Sequence, residues 1–133
     1  MPHVNWLAVV AAAVSTFLIG GLWYSKMLFG RAWMAANNFD EADLAKSNMV
    51  KIFGLAFLFA LIMGANLAAF LAEPRTTAAW GATAGFLAGF GWVALAIASI
   101  ALYERRSWKY VLINGGYMTV SFVVMGLILG AWR

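Results

Sequence analysis

Four long stretches of this sequence contain no charged residue, and that feature limits the possible folds more than any other. They cover 4–24, 52–72, 76–103 and 110–132. A helix needs about 20 predominantly apolar residues to cross the roughly 30 Å hydrocarbon core of a bilayer. The chain is 65% hydrophobic and only 11% charged, against about 25% charged in soluble domains. At 133 residues a soluble fold has too little interior to hide so much apolar surface. The expected fold is an all-α integral membrane protein, a single domain over 1–133 built as a four-transmembrane-helix bundle.

Other architectures fit poorly. Soluble helices would show polar faces at a 3.6-residue period, and these runs are apolar nearly all round. A membrane β-barrel would show alternating segments of about 10 residues, which are not visible. The first run lacks the Lys or Arg that begins a cleaved signal peptide and is longer than its usual core, so it reads as a retained span. There is no cysteine, and the one histidine is His3, which argues against thiol chemistry and clustered metal ligands. No metal, cofactor or catalytic residue is expected. Asp40, Glu41 and Asp43 read as a solvated helix start. Glu73 and Glu104 are expected on opposite sides of the membrane. Acid–base catalysis needs two groups within reach of one substrate, so the expectation is a protein that is not an enzyme.

The net charge is +4, but its distribution points to membrane topology rather than nucleic acid. Lys26, Arg31, Lys46, Lys51, Arg105, Arg106 and Lys109 lie in the first and third connections; only Arg75 and Arg133 lie on the other side. Seven against two, by the positive-inside bias, puts the first side in the cytoplasm and both termini outside. Trp23, Tyr24, Tyr103, Trp108 and Tyr110 then mark the inner interface, and Trp6, Trp80 and Trp132 the outer one.

Residues 26–51 form the one connection with room for structure. Their first half mixes bulky apolar residues with Lys26 and Arg31, as suits an amphipathic segment lying in the interface. Asn37 and Asn38 break that pattern. Asp40 is placed to cap a new helix, expected to run straight into the second span. This elbow is either a simple turn or a lid and docking surface.

Small residues let helices approach closely in lipid. The third span carries Gly81, Gly85 and Gly89, with Trp92 and Ser99 on roughly the same face. The second carries a small stripe through Gly64, and the fourth Gly126 and Gly130. Opposite the stripe of the second span lie Phe59, Ile62, Met63, Asn66 and Phe70. A helix with two such faces can pack inside its own bundle and against another copy, so a homo-oligomer is expected. Of the polar residues in the spans, Asn66, Ser99, Asn114, Tyr117 and Ser121 are the candidates for a cavity. The plainer reading makes them hydrogen-bond glue between helices. A weak internal likeness also links 28–33 with 102–108, but aromatic–basic pairs are expected at inner interfaces anyway.

Residues 20–34 read GGLWYSKMLFGRAWM and follow Asn5-Trp6-Leu7-Ala8-Val9. This pattern resembles a family of small bacterial membrane proteins known as domain of unknown function 1761, with its early Asn, G-x-x-W-Y-S and L-F-G-x-x-W. Many members have Pro where this chain has Lys26, and Gly where it has Asn37 or Asn38. The resemblance implies a four-span protein of the bacterial inner membrane and supplies no activity. On the residues alone, Asn5 and Trp23 are 18 positions apart, five helical turns, so they share one face. Gly30 permits a tight turn. The motif candidates Asn5, Trp23, Tyr24, Ser25, Phe29, Gly30 and Trp33 either fix how the first helix meets the elbow or, through Trp23, Tyr24, Ser25 and Trp33, form a lipid or ligand pocket at the inner interface. The leading functional expectation is a non-enzymatic, homo-oligomeric structural or interaction protein with membrane lipids as partners and no nucleic acid. The alternative is a passive channel or small-solute transporter.

Overall fold

The computed structural model describes residues 4–133; His3 lies outside them. The described chain is all-helical, and four of its helices are long and apolar enough to cross a membrane. Helix α1 is Trp6–Trp23, α2 Gly30–Asn37, α3 Glu41–Ala45 and α4 Met49–Phe70. The third span is continuous from Ala78 to Tyr103. It consists of α5 (Ala78–Ala88), a π-helical segment (Gly89–Ala94) and α6 (Leu95–Tyr103). Helix α7 is Trp108–Ala131.

Each long helix begins on a side-chain cap that satisfies otherwise orphaned backbone N–H groups. Asn5 Oδ1 accepts from Leu7 and Ala8. Asn48 Oδ1 accepts from Lys51, Thr77 Oγ1 from Trp80, and Ser107 Oγ from Tyr110. Asn48 corrects one expectation. Asp40 does cap a helix, through a reciprocal box with Asp43. That helix ends at Ala45, and Asn48 starts α4 afresh, so it does not run on into the second span. Helix α2 ends on Asn38 at φ 57°, in the left-handed region, with the Phe39 N–H bonded to Met34 O at 2.9 Å. Asparagine tolerates that conformation better than most residues. Pro74 sits in the turn closed by the Thr76 N–H on Glu73 O at 3.1 Å.

Helix α7 is the hub, packing against α1, α2, α4 and all three segments of the third span. Its buried residues include Gly115, Ser121, Phe122, Met125, Gly126 and Gly130. Helix α1 packs on both α4 and α7, so the spans follow one another as α4, α1, α7, α5. Two of these interfaces rest on small residues. Gly64 meets Val9 and Ala12 of α1. Between α5 and α7 the backbones nearly touch: a Cβ on Gly81 would run into the Gly126 carbonyl, and one on Gly85 into the Phe122 carbonyl. Gly130 is pressed in the same way against Thr77. This approach favours weak Cα–H···O contacts and dispersion, the forces left to helices in lipid. The glycines of the third and fourth spans thus close a seam within one chain.

The π segment corrects the expected face of the third span. Gly81, Gly85 and Gly89 are buried as a set, but the next buried residues are Ala94 and Ala101. A π turn accommodates one extra residue, so the inward face skips from Gly89 to Ala94, which packs against Gly115. Trp92, expected on the glycine face, is instead 76% exposed.

Candidate functional site

Two constellations stand out: an aromatic knot where α1 meets α2 and α7, and an open groove between α4 and α5. The knot contains most of the sequence motif. The Trp23 indole N–H donates to Ile113 O at 2.8 Å, and the ring lies over Gly116, where a Cβ would come within 3.0 Å of it. The Tyr24 hydroxyl donates to Asn114 Oδ1 at 2.6 Å. The Tyr117 hydroxyl donates to Thr16 O at 3.2 Å and lies against Gly20. Edge-on ring contacts extend the cluster: Tyr24 with Tyr117 at 5.3 Å, Tyr24 with Trp33 at 5.6 Å, and Trp33 with Phe39 at 5.5 Å. Phe29 packs on Trp23 at 4.8 Å.

The backbone explains the remaining motif positions. Ser25 O accepts from both Leu28 and Gly30, and Trp23 O accepts from Phe29. A Cβ on Gly30 would lie 2.5 Å from Tyr24 O and 2.8 Å from the Ser25 carbonyl carbon, so the turn closes only around a glycine. The Ser25 hydroxyl bonds back to Leu22 O at 2.6 Å. Trp23 and Tyr24 are therefore half-buried and turned toward α7. At the other end of α1, Asn5 Nδ2 donates to Trp132 O and Arg133 O, both at 3.5 Å. Asn5 and Trp23 thus bind opposite ends of α7 through one face of α1, with Ala8, Ala12 and Thr16 buried between them. Outside the spans, the elbow carries an exposed ion pair, Lys26 Nζ to Glu41 Oε1 at 2.7 Å. The Lys26 ammonium, through this bond and its charge, holds the Glu41 carboxyl below the usual carboxylate range.

The five polar cavity candidates do not come together. Asn114 and Tyr117 belong to the knot. The Ser99 hydroxyl bonds back to Leu95 O at 2.9 Å. Ser121 is fully buried against the core. Asn66 alone faces the groove.

That groove exists because α4 and α5, though joined by a short turn, do not pack on each other. Its volume is about 750 Å³, and its lining is overwhelmingly apolar. Met63, Asn66 and Phe70 form one wall; Trp80, Leu87 and Trp92 form the other; Phe122 of α7 lies at the floor. Small-molecule clefts span roughly 300–1,000 Å³, so the space is large enough for a ligand. Sequence reading grouped Met63, Asn66 and Phe70 on one face but missed the opposite wall. Only the π segment turns Trp92 toward the groove, and nothing in the composition of 89–94 announced it.

The family model described as protein of unknown function (DUF1761) matches residues 7–130, nearly the whole chain. The protein belongs to this family. Neither a curated protein nor a solved structure matches it. Membership brings no activity to this DUF1761 protein.

Proposed function

We propose that this protein is a non-enzymatic structural or interaction component of the bacterial inner membrane that holds lipid and assembles with copies of itself. The observation that carries this reading is how the polar groups are used. Trp23, Tyr24, Asn114 and Tyr117 spend their hydrogen bonds joining α1 to α7. No Asp, Glu, Lys, Arg or His lies within the four long helices apart from Lys51 and Lys109 in their first turns. Proton relays and ion paths at membrane depth usually need such groups. The large groove instead opens sideways between two spans, toward lipid. Phe59 and Ile62 of α4, about half exposed and outside the groove, support self-association through side-chain contact rather than close backbone pairing. The charge bias supports both termini lying outside the cytoplasm.

Flux from reconstituted liposomes, measured over a panel of ions and small solutes, tests the function. No flux above protein-free vesicles is expected; robust flux altered by Asn114→Leu would replace this reading with a passive channel. Native mass measurement in detergent should give a multiple of the chain mass. A reporter fused to the C-terminus should be active outside the cytoplasm.

A further inference from the structure

We infer that the groove between α4 and α5 is a binding site for one diacyl phospholipid, with an acyl chain along the apolar walls and its ester carbonyl on the Asn66 carboxamide. The inference rests on the lipid-holding reading above and specifies its site and chemistry.

Asn66 is the first argument. It is exposed, it belongs to a transmembrane helix, and no described residue bonds its side chain. A carboxamide left unpaired in hydrocarbon is costly. Asn66 lies four residues before the end of α4 at Phe70, about 6 Å along the axis. Across the groove, Trp80 is the third residue of α5, so it stands nearer the membrane surface than Asn66 by about 3 Å of helix rise. No described residue accepts from that indole either. One N–H donor, Trp80, thus stands at the end of the groove near the membrane surface and the other, Asn66, somewhat deeper, while the rest is apolar. Phospholipid esters supply acceptors at that depth and hydrocarbon below them.

Length is the second argument. From Trp80 to Trp92 the wall runs twelve residues, about 18 Å. Half of a roughly 30 Å hydrocarbon core is about 15 Å. The third-span wall therefore matches the depth of one leaflet, and the α4 wall, from Met63 to Phe70, covers about 10 Å of it.

Shape separates a lipid from a second copy of the chain. Close helix pairing in membranes needs small residues at the contact. The glycine stripes are already used inside the bundle, on Gly126, Phe122 and Val9. Phe70, Trp80, Leu87 and Trp92 line the groove and are 42–76% exposed. Such a rim holds another helix away, whereas a flexible chain can thread between its members.

Native mass spectrometry of delipidated protein, titrated with diester or diether phosphatidylethanolamine, tests the site. One diester lipid should bind at saturation, and the diether analogue, which lacks the carbonyls, should bind about threefold more weakly, the average worth of one intramembrane hydrogen bond. Asn66→Leu should bind both lipids alike, at the weaker value. Ala88→Trp, which fills the groove, should lose binding more than tenfold. Equal binding of the two lipids by the wild type overturns the Asn66 contact and requires no variant to fold. Undiminished binding by a folded Ala88→Trp overturns the groove as the site. Conversion of an oligomer to monomer by Ala88→Trp, without loss of lipid, assigns the groove to a second copy. Liposome flux would refute the functional reading whatever the lipid result, and loss of the lipid site without flux refutes this inference alone.

Discussion

Helix α5 has two neighbours in space and treats them oppositely. Against α7, Gly81 and Gly85 bring two backbones into contact. Toward α4, its neighbour in sequence, Trp80 and Leu87 project into a gap of about 750 Å³. Both surfaces belong to one uncharged helix, so hydrophobicity cannot explain the difference. In lipid, apolar side chains gain little by leaving one apolar neighbour for another, and association depends on how closely two surfaces fit. Seam and gap together show that side-chain size, more than polarity, decides which helix pairs close.

The largest effect should come from breaking the seam. Gly85→Leu forces a side chain into the Phe122 carbonyl, where only backbone can move. Overpacking commonly costs about 1–3 kcal/mol and sometimes more; with backbone on both sides, at least about 3 kcal/mol is expected. Thermal unfolding in detergent should show a large fall in midpoint or no folded protein. Gly54→Ala is the matched control. A Cβ there meets nothing within 4 Å, and alanine is preferred over glycine inside helices by roughly 0.5–1 kcal/mol. Its midpoint should stay level or rise. A mild Gly85→Leu phenotype would show that the seam is looser than its geometry implies.

The seam was far more legible in the sequence than the gap. Glycines at steps of four advertise a close approach, and uncharged runs of about 20 residues advertise a membrane. The Asn5–Trp23 face could be read from helical periodicity alone, and the structure lays it along α7. Features without a compositional mark stayed hidden. The π turn depends on how α7 engages Gly89 and Ala94 at once, a tertiary demand no local pattern records. The break before α4 depends on Asn48 outcompeting continuation from α3, a small difference between two capping options. The groove is hardest to see, because it follows from two neighbouring helices failing to meet. Asn66 was its one visible sign, a lone amide in an uncharged run.

A smaller effect should separate fit from hydrogen bonding within the closed side of the molecule. Trp23→Phe keeps most of the aromatic bulk over Gly116 but removes the donor to Ile113 O. Membrane hydrogen bonds average about 0.6 kcal/mol, with a maximum near 1.7, so a loss of roughly 0.5–1.5 kcal/mol is expected in the same unfolding assay. Trp23→Ala should cost several times more, because it also empties the space over Gly116. Equal losses would mean that the indole N–H, rather than packing, holds α1 to α7, and the contrast between seam and gap would need a polar term.

The smallest effect belongs to the contact made in water. Lys26 and Glu41 lie 2.7 Å apart with side chains 66% and 75% exposed, and exposed pairs contribute little because solvent screens them and side-chain entropy opposes them. Since Glu41 is held below its ordinary value of 4.5, any stability from the pair is present above that value and fades as pH falls through the lowered one. The carboxyl should titrate below the usual range by NMR, and Lys26→Gln should return it there while leaving the unfolding midpoint unchanged near neutral pH. A clear drop in midpoint would show that the elbow clamps the aromatic knot from outside. Fit inside the membrane would then share control of the α1–α7 junction with a surface charge, and raising the salt concentration should weaken that junction while leaving the glycine seam unaffected.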